Sequence, residues 1–141
     1  MIKIPDMAKR KVGVFGLGAT GVSAAEALVA SGAQVFTFDE SQTARDKTGN
    51  TEYRAEHPKQ WPWKDLSALV LSPGVPLTHP KPHAMVKKAQ SEGVEIIGDI
   101  ELFARSLNAI PENQRPKVVA VTGSNGKSTT TALIGRILKE A

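Results

Sequence analysis

Val12-Gly13-Val14-Phe15-Gly16-Leu17-Gly18-Ala19-Thr20-Gly21, followed across an alanine- and leucine-rich stretch to Val35-Phe36-Thr37-Phe38-Asp39, decides the fold of this 141-residue chain. Val12 to Phe15 reads as a short buried strand that runs straight into a glycine loop. Ala19 to Ala30 reads as a helix closed by Gly32, because glycine tolerates the left-handed conformation that ends helices. Val35 to Phe38 is a second strand, ending at Asp39. The result is a βαβ unit of fewer than about 30 residues, the compact form used for nucleotides. The spacing Gly16-x-Gly18-x-x-Gly21 between strand and helix is a dinucleotide fingerprint, and Asp39 stands where an acid can accept from a ribose hydroxyl. Taken alone this loop favours NAD. Glycines kept only for close helix–sheet packing are the other reading. Thr20 adds a hydroxyl and a backbone N–H, both able to reach a phosphate.

Working outward, residues 40–65 are polar and less regular, with a possible short strand near Tyr53. Leu69-Val70-Leu71 is a clear strand that ends in Ser72-Pro73-Gly74, a second turn on the ligand-binding side of an open sheet or simply a turn forced by proline and glycine. A proline-rich loop leads to a helix over Ala84–Ser91, Gly93 and a strand at Val94–Ile97. Asp99 is a suitable N-cap for a helix through Leu107. Strands alternating with helices predict an α/β domain with a doubly wound, Rossmann-like parallel sheet over residues 1–98. Residues 99–116 then form a helix and a polar linker with two prolines.

A second glycine loop follows the apolar run Val118-Val119-Ala120-Val121. In Thr122-Gly123-Ser124-Asn125-Gly126-Lys127-Ser128-Thr129 the glycines let backbone N–H groups face phosphate oxygens. Lys127 brings a positive charge to the β- and γ-phosphates, and the Ser128 hydroxyl can ligate Mg²⁺. The usual phosphate-loop pattern asks for glycine at position 121, where this chain has valine and supplies Gly123 instead. An ordinary strand-to-helix turn with a solvated lysine is the plainer alternative. Residues 117–141 supply only a strand, the loop and a helix, so the chain is expected to stop inside its second domain. An apolar strand without neighbours should dock on the first domain, pair with another chain or remain disordered.

Composition narrows the function classes. With 40% apolar and 23% charged residues the chain is an ordinary globular sequence, and its net charge of +4 is scattered. That suits anionic small molecules and predicts no nucleic-acid partner. No run approaches the roughly 18 apolar residues of a membrane span. The absence of cysteine removes disulfides and thiolate metal sites and fits a cytoplasmic protein. His79 and His83 have a helical metal-ligand spacing, but Pro80 and Pro82 between them argue against it. His57 beside Pro58 reads as a surface-loop residue. Trp61-Pro62-Trp63 reads as packing against the sheet edge, with a stacking platform as the sharper alternative. Asp99 and Glu101 face different directions on a helix and read as capping and solvated groups.

Four segments in order, Gly16–Ser23, Ser72-Pro73-Gly74-Val75, Gly98-Asp99-Ile100-Glu101-Leu102-Phe103 and Val121–Thr129, resemble the N-terminal third of a Mur ligase, over residues 10–141. Within that family the Gly-x-Gly-x-Thr-Gly loop is similar to the D-glutamate-adding branch rather than the L-alanine-adding one. The resemblance implies that the first loop binds the UDP of UDP-N-acetylmuramoyl-L-alanine and not NAD. Gly18, Ala19 and Thr20 would lie against the diphosphate, Asp39 near the uridine, and Gly74 would allow close approach of the chain. The branch often has Thr-Arg after the aspartate, where this chain has Glu40-Ser41. The second loop would bind ATP through Gly123, Ser124, Asn125, Gly126, Lys127, Ser128 and Thr129, with Lys127 catalytic and Ser128 on Mg²⁺. ATP would phosphorylate the substrate carboxylate, and the amine of D-glutamate would attack the acyl phosphate. The D-glutamate site and the remaining metal ligands would lie in later sequence, so the 141-residue chain alone is expected to be inactive. An NAD-dependent oxidoreductase and a non-catalytic UDP-sugar-binding module are the alternatives.

Overall fold

The computed structural model describes residues 2–48, 52–53 and 55–141. Four strands, β1 (Lys11–Phe15), β2 (Gln34–Phe38), β3 (Leu66–Leu71) and β4 (Glu95–Ile97), form one sheet in the order β2-β1-β3-β4. Every pairing is parallel, as the expected doubly wound sheet requires. Helix α1 (Ala19–Ala30) connects β1 to β2, a short helix α2 (Gln42–Asp46) follows β2, and α3 (Ala84–Glu92) connects β3 to β4. Helix α4 (Asp99–Asn108) follows β4, and α5 (Lys127–Glu140) comes after the second glycine loop.

The near-continuous apolar strands follow from burial on both faces of a parallel sheet. Alternation along β1 sends Val12 and Val14 to one face, where they meet Ala24, Ala25 and Leu28 of α1 and Leu102 of α4. Phe15 points to the other face and packs with Trp61, Trp63, Leu69 and the α3 residues Met85, Val86 and Ala89. Both tryptophans of the Trp-Pro-Trp motif are therefore core residues. Each indole N–H donates to a backbone carbonyl, Trp61 to Glu56 O at 2.9 Å and Trp63 to Pro58 O at 2.7 Å, so neither buries an unsatisfied donor. On the α1 side, Arg105 of α4 donates to Glu95 at 2.7 Å and Glu101 at 2.9 Å, and these bonds hold its guanidinium above its ordinary pKa. That network fastens α4 to β4.

Several expectations need correction. Residues 40–65 carry α2, which is capped by the Ser41 hydroxyl accepting from Ala44 N and is too short to show a periodic apolar pattern. In place of a strand at Tyr53 there is a single parallel bridge between Thr37 and Ala55, with Tyr53 buried; residues 49–51 and 54 of this stretch lie outside the described residues. The N-cap of α4 is Gly98; Asp99 is the first helical residue, its carboxylate accepting only from the adjacent Ile100 N at 3.0 Å. The run Val118–Val121 is not a strand. It has no ladder partner, and Val118 and Val119 are 54% and 68% exposed, because neither edge of the sheet receives it. Leu133, Ile137 and Leu138 of α5 are also exposed, so residues 117–141 do not dock on the first domain. Between α4 and this segment, the linker contains one short turn at Glu112–Gln114.

Candidate functional site

In a parallel sheet every strand ends at the same edge. Here the chain leaves β1 for β2 on one side and returns to β3 on the other, so the C-terminal ends of β1 and β3 form a topological switch point, where open α/β sheets bind ligands. The first glycine loop follows β1 at this point, and Ser72-Pro73-Gly74 follows β3 beside it. The two are joined directly, since the Ser72 hydroxyl donates to Gly16 O at 2.8 Å and Ser72 N donates to Phe15 O at 3.0 Å.

Close approach explains the glycine spacing. A Cβ on Gly21, in the first turn of α1, would lie 1.8 Å from Gly16 O. Gly18 is different: it is the N-cap of α1, and a Cβ there would meet nothing within 4 Å. Thus Gly21 serves packing, while the open side of the loop, at Gly18, Ala19 and Thr20, is exposed to solvent. No side chain caps α1, so its first N–H groups are free for an anion. Ala19 and Thr20 also line a cavity of about 310 Å³ between α1 and α4, with Ile4, Ser23 and Asp99 on its walls.

Asp39 reaches back into the loop. Its carboxylate accepts from Leu17 N at 2.6 Å and from Ser41 N at 2.7 Å. Arg45 completes the turn by donating to Asp39 O at 2.5 Å and Glu40 O at 2.8 Å while its guanidinium lies 5.0 Å from the Phe38 ring centroid. The aspartate predicted at the nucleoside end is therefore also the post that sets the loop's height. Arg45 was not foreseen, since an arginine in a polar stretch carries no spacing signal; Ser72 belongs to the turn read as ligand-facing, but its bond to the glycine loop was not anticipated. Asp39→Ala would strip two backbone donors of a charged acceptor, at roughly 1.5–3 kcal/mol. A lower urea midpoint with unchanged m-value is the expected reading, with Asp39→Asn losing less because one oxygen acceptor remains.

The second loop stands apart from this cluster. Gly126, with φ of +76°, occupies the left-handed region as N-cap of α5, and Lys127 begins the helix. The Lys127 ammonium donates to Gly123 O at 2.5 Å, folding over the loop, while Ser128 and Thr129 lie exposed on the first helical turn. No side chain caps α5. Among the described residues no group of three or more His, Cys, Asp or Glu side chains could hold a metal; His79 Nδ1 lies 3.1 Å from Thr78 Oγ1 and His83 Nε2 lies 3.1 Å from Glu40 Oε1. No helix among them is long and apolar enough to cross a membrane.

Over residues 10–98 the sequence matches the N-terminal domain of MurD-like Mur ligases. This chain belongs to the Mur ligase family. It is 52% identical over 141 residues to the UDP-N-acetylmuramoylalanine–D-glutamate ligase of Phenylobacterium zucineum strain HLK1, matching 100% of this chain and 30% of that relative. Identity to the enzyme of the same name from Caulobacter sp. strain K31 is also 52%, with the same coverage. The ligase of the same name from Wolbachia sp. subsp. Brugia malayi strain TRS is 52% identical over 134 residues, 94% of this chain and 26% of its own length. The Mur ligase chain described here thus spans about a third or less of these proteins. Among solved structures, shikimate dehydrogenase from Aquifex aeolicus superposes with a TM-score of 0.53 at 16% identity, covering 73% of this chain and 47% of that one. That likeness is one of fold, the Rossmann-like parallel sheet.

Proposed function

We propose that residues 1–98 bind the UDP portion of UDP-N-acetylmuramoyl-L-alanine and that residues 117–141 begin the ATP-binding domain of a ligase that adds D-glutamate to it in peptidoglycan synthesis, with residues 99–116 as the connection. The observation that carries the first part is the open side of the glycine loop at the switch point. Gly18, Ala19 and Thr20 leave the uncapped start of α1 facing outward, which suits a diphosphate. Asp39 and the Gly74 turn flank the same edge at the nucleoside end. Family membership favours UDP over NAD as the ligand of this loop.

For the second loop, the residues fit a nucleotide phosphate: left-handed Gly126 turns the chain into an uncapped helix N-terminus, with Lys127 poised over it and Ser128 placed for Mg²⁺. Bound ATP would supply the phosphoryl group that activates the substrate carboxylate for the amine of D-glutamate. Gly123, Ser124, Asn125 and Thr129 would complete the cradle, and Lys127 would offset negative charge on the phosphates. Titration of the chain by calorimetry is the direct test of the first loop. Saturable binding of UDP-N-acetylmuramoyl-L-alanine with no heat from NAD is the expected result; binding of NAD alone would replace this reading by the oxidoreductase one.

A further inference from the structure

Arg45 lies in α2, a helix of five residues, none of them fully buried, so apolar packing does little to fix where it sits. Its guanidinium supplies the hold instead. Nη1 donates to two successive carbonyls, Asp39 O at 2.5 Å and Glu40 O at 2.8 Å, and Nη2 donates to Gln42 Oε1. The charged plane rests 5.0 Å from the Phe38 ring centroid. Among the described residues Arg45 forms no ion pair, so its donors go to peptide groups and a side-chain amide rather than to a carboxylate.

One nitrogen reaches both carbonyls because the chain turns here, and the turn has a direction. In a trans peptide the N–H points opposite to the C=O, and these bonds are trans. With the Asp39 and Glu40 carbonyls drawn onto Arg45, the N–H groups of Glu40 and Ser41 face the other way. Ser41 N donates to Asp39 Oδ1 at 2.7 Å, and Asp39 Oδ2 accepts from Leu17 N at 2.6 Å. The side turned away from Arg45 is thus the side of the glycine loop. The loop has a second brace that does not involve Arg45, the Ser72 hydroxyl on Gly16 O. Losing the guanidinium would therefore free the turn after β2 while the diphosphate end keeps its support from β3.

We propose that Arg45 is the positioning residue of the nucleoside end of this site: by holding the peptide units of Asp39, Glu40 and Ser41 it sets the preference for the base, acting through the turn and not on the ligand. The assignment rests on the reading that the glycine loop takes UDP. Calorimetry of the chain with UDP-N-acetylmuramoyl-L-alanine and with its cytidine analogue tests it, the parent being expected to prefer the uridine ligand. Arg45→Ala should weaken that ligand at least about tenfold, the loss of one charge-assisted hydrogen bond, and the cytidine analogue less than about threefold, so that the preference narrows. Arg45→Lys keeps the charge without the fork and should fall between parent and Arg45→Ala. It is read in the same way should Arg45→Ala not fold, which a melting curve shows. A parent without a base preference, a variant that keeps the preference, or equal weakening of both ligands would each overturn the proposal while leaving UDP binding intact. A parent that binds NAD and not the uridine ligand would overturn the substrate reading, and this assignment with it.

Discussion

Introduced into the complete ligase, Lys127→Ala is expected to lower ATP-driven amide formation by at least about 10²–10³-fold, the usual consequence of removing one preorganised group from a site of developing charge. Binding of UDP-N-acetylmuramoyl-L-alanine should change less than about twofold, well under the 1.4 kcal/mol that corresponds to a tenfold change. The separation follows from the structure. Among the described residues the Lys127 ammonium bonds to carbonyls of its own loop, Gly123 O and Ser124 O, while the first loop is held by Asp39 and Ser72. Lys127→Arg keeps the charge but not the compact ammonium, so only partial recovery is expected. Single-turnover kinetics with saturating UDP substrate, beside calorimetry of that substrate, would decide the matter. A variant with normal turnover would remove Lys127 from the phosphate site; one that lost UDP binding as well would contradict the independence of the two loops.

How far the sequence could be read depended on whether a feature is local. Strand β1, the loop, α1 and β2 follow from a continuous apolar run, glycine spacing and an alanine-rich stretch, all of them short-range signals, and the structure has them where expected. That the sheet is parallel followed from alternating strands and helices; its order, β2-β1-β3-β4, was not read from the sequence. Helix α2 was missed because five residues cannot display a helical period, and its cap depends on Ser41. Asp99 looked like a cap because its residue type suits one, yet Gly98 takes that position. At Val118–Val121 the strand expected from the apolar run does not form, since a strand needs a partner and no ladder forms there. In the site, the glycine loop and Asp39 were marked by spacing, and the Asp39 carboxylate does reach the loop at Leu17 N; Ala19 and Gly74 entered only through the family resemblance. The groups that brace the site, Arg45 and Ser72, come from residues whose role exists only once distant segments are brought together.

Gly21 tests whether that bracing is as rigid as its geometry implies. A Cβ at this position would lie 1.8 Å from Gly16 O, 2.9 Å from Gly16 C and 2.9 Å from the Ser72 hydroxyl. Two of the three are backbone atoms that cannot rotate aside, and the hydroxyl is already committed to Gly16 O. Gly21→Val must push α1 away from the end of β1, separating Ala24, Ala25 and Leu28 from Val12 and Val14. Overpacking of this kind costs roughly 3 kcal/mol or more. At roughly 4–8 °C per kcal/mol for a domain of this size, the melting temperature should fall by about 12–24 °C. Binding of the UDP substrate should be lost with it, since the loop and helix N-terminus move together. Gly18→Ala is the matched control: its φ of −67° is open to any residue and nothing lies within 4 Å of the new Cβ. That variant should melt near the parent temperature while binding the UDP substrate more weakly, because its methyl group occupies the outward side of the loop. Thermal melts and calorimetry on both variants separate packing from recognition. A Gly21→Val protein as stable as its parent would show that α1 is not anchored through this contact, and a Gly18→Ala protein with undiminished affinity would move the diphosphate away from the loop's open side.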